Sequence, residues 1–142
     1  MMVLRCTAKL QKRLRLPKLG DQGPSTTALG DWYGNVFHVG RQPMLILTSE
    51  KSLLSVVLPA RELDALQATF SKALMKLLLR IGIPAVAVER ELAQMNEIAY
   101  GPTRNRSVLG TMNDAVMIIK YVARDRPELC LKDFEDDIAK TP

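Results

Sequence analysis

The sequence predicts an α+β fold in which a small antiparallel β-meander packs against about four to five helices. Strand-type segments crowd into the first half, at Trp32 to Val39, Met44 to Thr48 and Leu53 to Leu58, and periodic helical segments follow them. Only short turns, Gly40 to Pro43 and Ser49 to Ser52, separate those strands. Links that short join antiparallel neighbours, because parallel strands need a crossover of a dozen or more residues. The regular strand-helix alternation of a doubly wound parallel fold is missing. With 142 residues, 47% of them hydrophobic and 25% charged, residues 1–142 fit one globular domain that buries a sizeable core.

Each element follows from local chemistry. Val3 to Cys6 reads as a short strand, and Thr7 is placed to cap a helix in which Leu10 and Leu14 share one face. Pro17 stops that helix. Lys18 to Gly30, KLGDQGPSTTALG, carries three glycines, a proline and three hydroxyl residues, the composition of a loop. The nearly continuous apolar runs MLILT and LLSVVL predict that their strands are covered on both faces. Pro59 fits a first helical position, with Arg61, Glu62 and Asp64 in the opening turns. Leu63, Leu66, Phe70, Ala73, Leu74, Leu77 and Leu78 then recur at helical spacing. Gly82 ends that helix and Pro84 starts another, whose buried stripe is Val88, Leu92 and Met95 and whose end lies near Asn96. Ile98 to Thr103 reads as a short strand or extended link, and Pro102 argues against a central place in a sheet.

Asn105 to Asp114, NRSVLGTMND, reads as a polar junction. Asn105, Ser107, Thr111 and Asn113 are suited to accept from the free amides that open a helix, and Gly110 to let another backbone approach. The helix beyond carries Met112, Val116, Ile119 and Val122. A last helix begins at Pro127 with Leu131, Phe134 and Ile138 inward. The expected core joins Leu66, Phe70, Leu74 and Leu77 to the meander and to Met112, Val116 and Ile119.

Catalytic chemistry is hard to place on these residues. His38, the only histidine, lies mid-strand without a visible partner for base catalysis. Cys6 and Cys130 have neither CxxC nor Cys-His spacing, and two reduced thiols are expected in a cytoplasmic protein. Asp133, Glu135, Asp136 and Asp137 point around one helix, which makes a solvated face and not a metal site. No catalytic residue, metal or cofactor is therefore expected. No apolar run approaches the ~20 residues of a membrane helix, and the start is too short in apolar residues for a secretory signal. Asp31, beside Trp32, is placed to clasp loop amides or Arg104 and Arg106. Asp31, Trp32, Asn105, Ser107, Gly110 and Asn113 are read together as a structural motif.

The net charge of +5 is uneven. Arg5, Lys9, Lys12, Arg13, Arg15 and Lys18 precede any acid, whereas Asp125, Glu128, Asp133, Glu135, Asp136 and Asp137 outnumber Arg126, Lys132 and Lys140 at the other end. Lys9, Lys12, Arg13, Arg15 and Lys18, with Arg104 and Arg106, are the partner-binding candidates, facing either phosphates or an acidic protein. Aromatic residues are 5% of the chain, which leaves little to stack on bases. Of the seven methionines, Met75, Met95 and Met112 fall at core spacing.

VLRCTAKLQKRL (Val3 to Leu14), STTALGDWYGNVF (Ser25 to Phe37), LTSEKSLLSVVLPA (Leu47 to Ala60) and NRSVLGTMND (Asn105 to Asp114) span nearly the whole chain. Together they resemble an uncharacterised bacterial family, a domain of unknown function with a short N-terminal strand and basic helix, an LGDWY-type block and an NRSVLGxxND motif. The resemblance implies one complete domain from a bacterium, phage or plasmid, and brings no activity with it. The functional expectation is a non-enzymatic protein-binding module or inhibitor, acting on a host or defence complex such as a CRISPR effector. The alternative is a nucleic-acid-binding accessory protein that uses the basic N-terminal segment. The oligomeric state is left open.

Overall fold

The computed structural model describes residues 2–17, 20, 23, 25, 27–60, 66–95 and 98–125. Five strands, β1 (Met2–Cys6), β2 (Trp32–Val39), β3 (Gln42–Ser49), β4 (Ser55–Pro59) and β5 (Ile98–Pro102), form one sheet in the order β4-β3-β2-β1-β5. The expected meander is present: β2, β3 and β4 are antiparallel, with Phe37 opposite Met44 and Leu45 opposite Leu58. The sheet as a whole is mixed, because β1 runs parallel to both β2 and β5. The reason lies in the links. A helix, α1 (Ala8–Arg13), and the following loop separate β1 from β2, while α2 (Leu66–Arg80) and α3 (Ala85–Ala93) separate β4 from β5. Crossovers of that length let strands return in the same direction. Pro102 sits on the edge strand β5, opposite Cys6, where a missing N–H is tolerated.

Strand alternation sorts the side chains into two cores. Leu4, Cys6, Trp32, Val36, Leu45, Leu47, Val56 and Leu58 pack on one side with Leu10 of α1, Phe70, Leu74 and Leu77 of α2 and Val88 of α3. Tyr33, Phe37, Met44, Ile46 and Val57 pack on the other with Val108, Met112 and Ile119 of α4 (Arg106–Asp125). The single core joining Phe70 to Met112 is thus corrected: the sheet stands between them. Both faces of β3 and β4 are covered, as their apolar runs imply. Trp32 meets Phe70 edge to face, with ring centroids 4.9 Å apart and planes at 78°. Gly34 lies under α1, where an added Cβ would come 2.6 Å from Leu10 Cδ2. Its bare backbone lets the helix settle on the sheet.

Thr7 caps α1 as expected, its hydroxyl accepting from the Leu10 amide at 3.3 Å. Pro59 does not open a helix; it closes β4 opposite Met44. Arg61, Glu62, Leu63 and Asp64 lie outside the described residues. Gly82, at φ 93, follows the end of α2, and Met75 is exposed on that helix while Met95 and Met112 are buried. The polar junction is also corrected, since α4 already starts at Arg106 and absorbs Ser107, Gly110, Thr111, Asn113 and Asp114. Burial of Val108 and Met112 against the sheet settles that boundary, and the intervening polar residues ride on exposed or half-exposed positions. The helix expected from Pro127, with Cys130 and the acidic cluster, falls outside the described residues.

Candidate functional site

The polar groups that the fold takes inside converge on the loop entering β2. Arg5 points from β1 and is 2% exposed; Asp31, just before β2, is 6% exposed. Arg5 Nε donates to Asp31 Oδ2 at 2.6 Å, and Nη1 donates to the Pro102 carbonyl on β5 at 3.3 Å. The other Asp31 oxygen accepts from the Ser25 amide at 2.8 Å, while Ser25 Oγ accepts from the Val3 amide at the same distance. Burial pushes the Asp31 carboxyl up, but the hydrogen bonds from Arg5 and Ser25 and the guanidinium charge outweigh it and hold the group below its ordinary value. One charge-assisted pair thereby ties β1, β5 and the loop together.

A second carboxylate grips the same loop from α3. Glu91 is 7% exposed, and its two oxygens accept from the Ala28 and Leu29 amides at 3.0 and 3.2 Å. Thr27 Oγ1 donates to the Gly30 carbonyl at 3.1 Å, and Ser49 Oγ donates to the Leu29 carbonyl at 2.6 Å. Residues 27–31 are bound from three directions, which leaves these buried acids holding backbone. The sequence places Arg5 only among the N-terminal cations and does not single out Glu91. The signal that could have found them was a charge on an apolar pattern: Arg5 inside a strand-forming run, and Glu91 three residues after Val88 and four before Met95.

The motif residues separate accordingly. Asp31 does bind a loop amide, but its cation is Arg5 and not Arg104 or Arg106. Trp32 turns to the Phe70 side, and its indole N–H meets no acceptor among the described residues. The residue that reaches α4 is Tyr33, whose hydroxyl accepts from the Asn105 amide at 3.1 Å. Asn105 caps α4: Oδ1 accepts from the Ser107 amide at 2.9 Å and more weakly from Val108, and Nδ2 donates to Glu50 at 3.4 Å. Ser107 and Asn113 are exposed within α4, and among the described residues nothing stands within 4 Å of a Cβ placed on Gly110. Among the described residues, Gly110 therefore serves no close backbone approach. Asn105→Ala is expected to lower stability by about 1 kcal/mol, whereas Asn113→Ala stays within about 0.5 kcal/mol. Thermal melts of the two variants check the contrast.

The surface chemistry is cationic. Lys9, Lys12 and Arg13 are exposed on α1, and exposed Arg15 follows with a left-handed φ of 56. Lys18 lies outside the described residues. Arg104 and Arg106 are exposed at the start of α4, on the far side of the sheet from α1, so the six described candidate cations do not form one patch. Cys6 is a free thiol whose pKa burial pushes up to about 12, which disfavours the nucleophilic thiolate. His38 is exposed on β2. Among the described residues, no three His, Cys, Asp or Glu side chains gather to hold a metal, and no helix is long and apolar enough to cross a membrane.

No curated protein and no solved structure matches the chain. The family model described as Domain of unknown function (DUF6933) matches residues 3–142. The strand, basic helix, loop clasp and capped α4 are thus features of one continuous match, and the chain belongs to that family.

Proposed function

We propose that this domain is a non-enzymatic protein-binding module that engages an acidic protein surface through α1. The observation that carries the reading is the exposure of Lys9, Lys12, Arg13 and Arg15 on one short helix and its exit turn, in a stretch with no acid before Asp21. Leu10 anchors that helix over Gly34, so the cations are presented from a fixed element. The buried carboxylates Asp31 and Glu91 are engaged in holding the loop, which supports a scaffold more than a reacting centre. The finer form of the proposal is an inhibitor encoded by a bacterium or mobile element and directed at a host or defence complex, such as a CRISPR effector.

Reversal of Lys9, Lys12, Arg13 and Arg15 to glutamate separates this from the nucleic-acid reading. A protein captured from bacterial lysate should persist after nuclease treatment and be lost on reversal, with a slowed association rate for the purified pair. Tight binding of the isolated domain to random RNA or DNA at physiological salt, abolished by the same reversal, would overturn the proposal.

A further inference from the structure

The outward face of α4 carries a pattern that packing on the sheet does not explain. Val108, Met112 and Ile119 face the core, and the opposite side presents Gly110, Asp114, Met117, Tyr121 and Arg124 at i, i+4, i+7, i+11 and i+14. That is the spacing of a coiled-coil seam. Met117 and Tyr121 at its centre are 69% and 68% exposed, and Ile118 flanks them at 55%. Among the described residues this second apolar face stays exposed, which marks it as an interaction surface. Gly110, a weaker helix former than alanine, sits inside the helix, and among the described residues nothing stands within 4 Å of a Cβ added there.

The ends of the seam decide what fits it. Asp114 stands on the N-terminal side of the apolar pair and Arg124 on the C-terminal side, both exposed. We propose that α4 is a homodimer interface in which a second copy of this chain packs antiparallel about a two-fold axis at the level of Ile119. In that pairing Met117 meets Tyr121 of the second copy, a favourable sulfur-aromatic contact made twice. Asp114 meets Arg124 of the second copy, also twice, because an isologous interface repeats every contact. A parallel pairing fails, since it sets Asp114 against Asp114 and Arg124 against Arg124. The dimer uses the side of the sheet away from α1, so it leaves the basic helix open and stands independently of the proposed partner.

One short seam is less than the ~800 Å² per partner of a standard interface, so the dimer is expected to be concentration-dependent, with Kd on the order of 100 μM. Sedimentation equilibrium from roughly 20 μM to roughly 1 mM, bounds set by so weak an interface, reads it directly. Asp114→Arg alone and Arg124→Glu alone should each sediment as monomers while melting as cooperatively as the unaltered chain. Mixed in equal amounts they should associate. The cation introduced by Asp114→Arg then faces the carboxylate introduced by Arg124→Glu, and the native Arg124 of the first variant faces the native Asp114 of the second. An unaltered chain that stays monomeric across that range, a dimer insensitive to either reversal, or a mixture that stays monomeric overturns the proposal.

Discussion

Asp31→Ala is expected to destabilise the domain by about 3 to 5 kcal/mol, the range for removing one partner of a buried ion pair. Arg5 would keep its charge inside the sheet without the carboxylate that faces it, and the Ser25 amide would lose its acceptor. Against a total stability of about 5 to 15 kcal/mol, that change brings the chain near unfolding. Urea titration at neutral pH measures it. Replacing both members, Arg5→Met with Asp31→Leu, should recover much of the loss, since an apolar pair carries no desolvation penalty. An Asp31→Ala variant that unfolds at the same urea concentration as the unaltered chain would remove the clasp from the account of stability.

The same pair sets a pH dependence. Asp31 is held below its ordinary value of 3.8 in the folded state, so the unfolded chain takes up the proton first as the solution is acidified. Its contribution is complete above the unfolded-state value, near about pH 4, and drains away as pH falls through the lower folded value. Urea midpoints measured from about pH 7 to about pH 2 should show this acid limb, and Asp31→Asn should flatten it. An equally steep limb in the asparagine variant would assign the acid sensitivity to other carboxylates.

Phe70→Ala is expected to lower stability by about 3 to 5 kcal/mol, because the ring is 1% exposed and packed edge to face on Trp32 in the larger core. Loss of the ring removes both apolar burial and the support of Trp32, whose indole is held there by packing. Met75→Ala on the same helix serves as the control, since its exposed side chain should leave the melt within about 0.5 kcal/mol. A thermal melt unchanged by Phe70→Ala would refute the placement of α2 on this face.

Elements with local causes are legible in the sequence alone. Strand-forming runs and short turns specify the meander, Thr7 specifies the start of α1, and the leucine spacing from Leu66 to Leu78 specifies α2. The apolar runs in β3 and β4 even announce a sheet covered on both sides. Which distant segments meet is settled only in three dimensions. β1 reads as a lone strand until Met2 aligns with Ile98 and Leu4 with Trp32, and the direction of those pairings follows from crossovers whose path no local pattern encodes. Arg5 and Glu91 look like solvated charges because their partners, Asp31 and the Ala28 and Leu29 amides, lie far along the chain. The start of α4 follows the same logic: Asn105 carries the capping signal, but only the Tyr33 hydroxyl and the buried positions of Val108 and Met112 show that the helix begins there. A polar residue in a sequence states its chemistry, and the fold alone states whether water or protein will satisfy it.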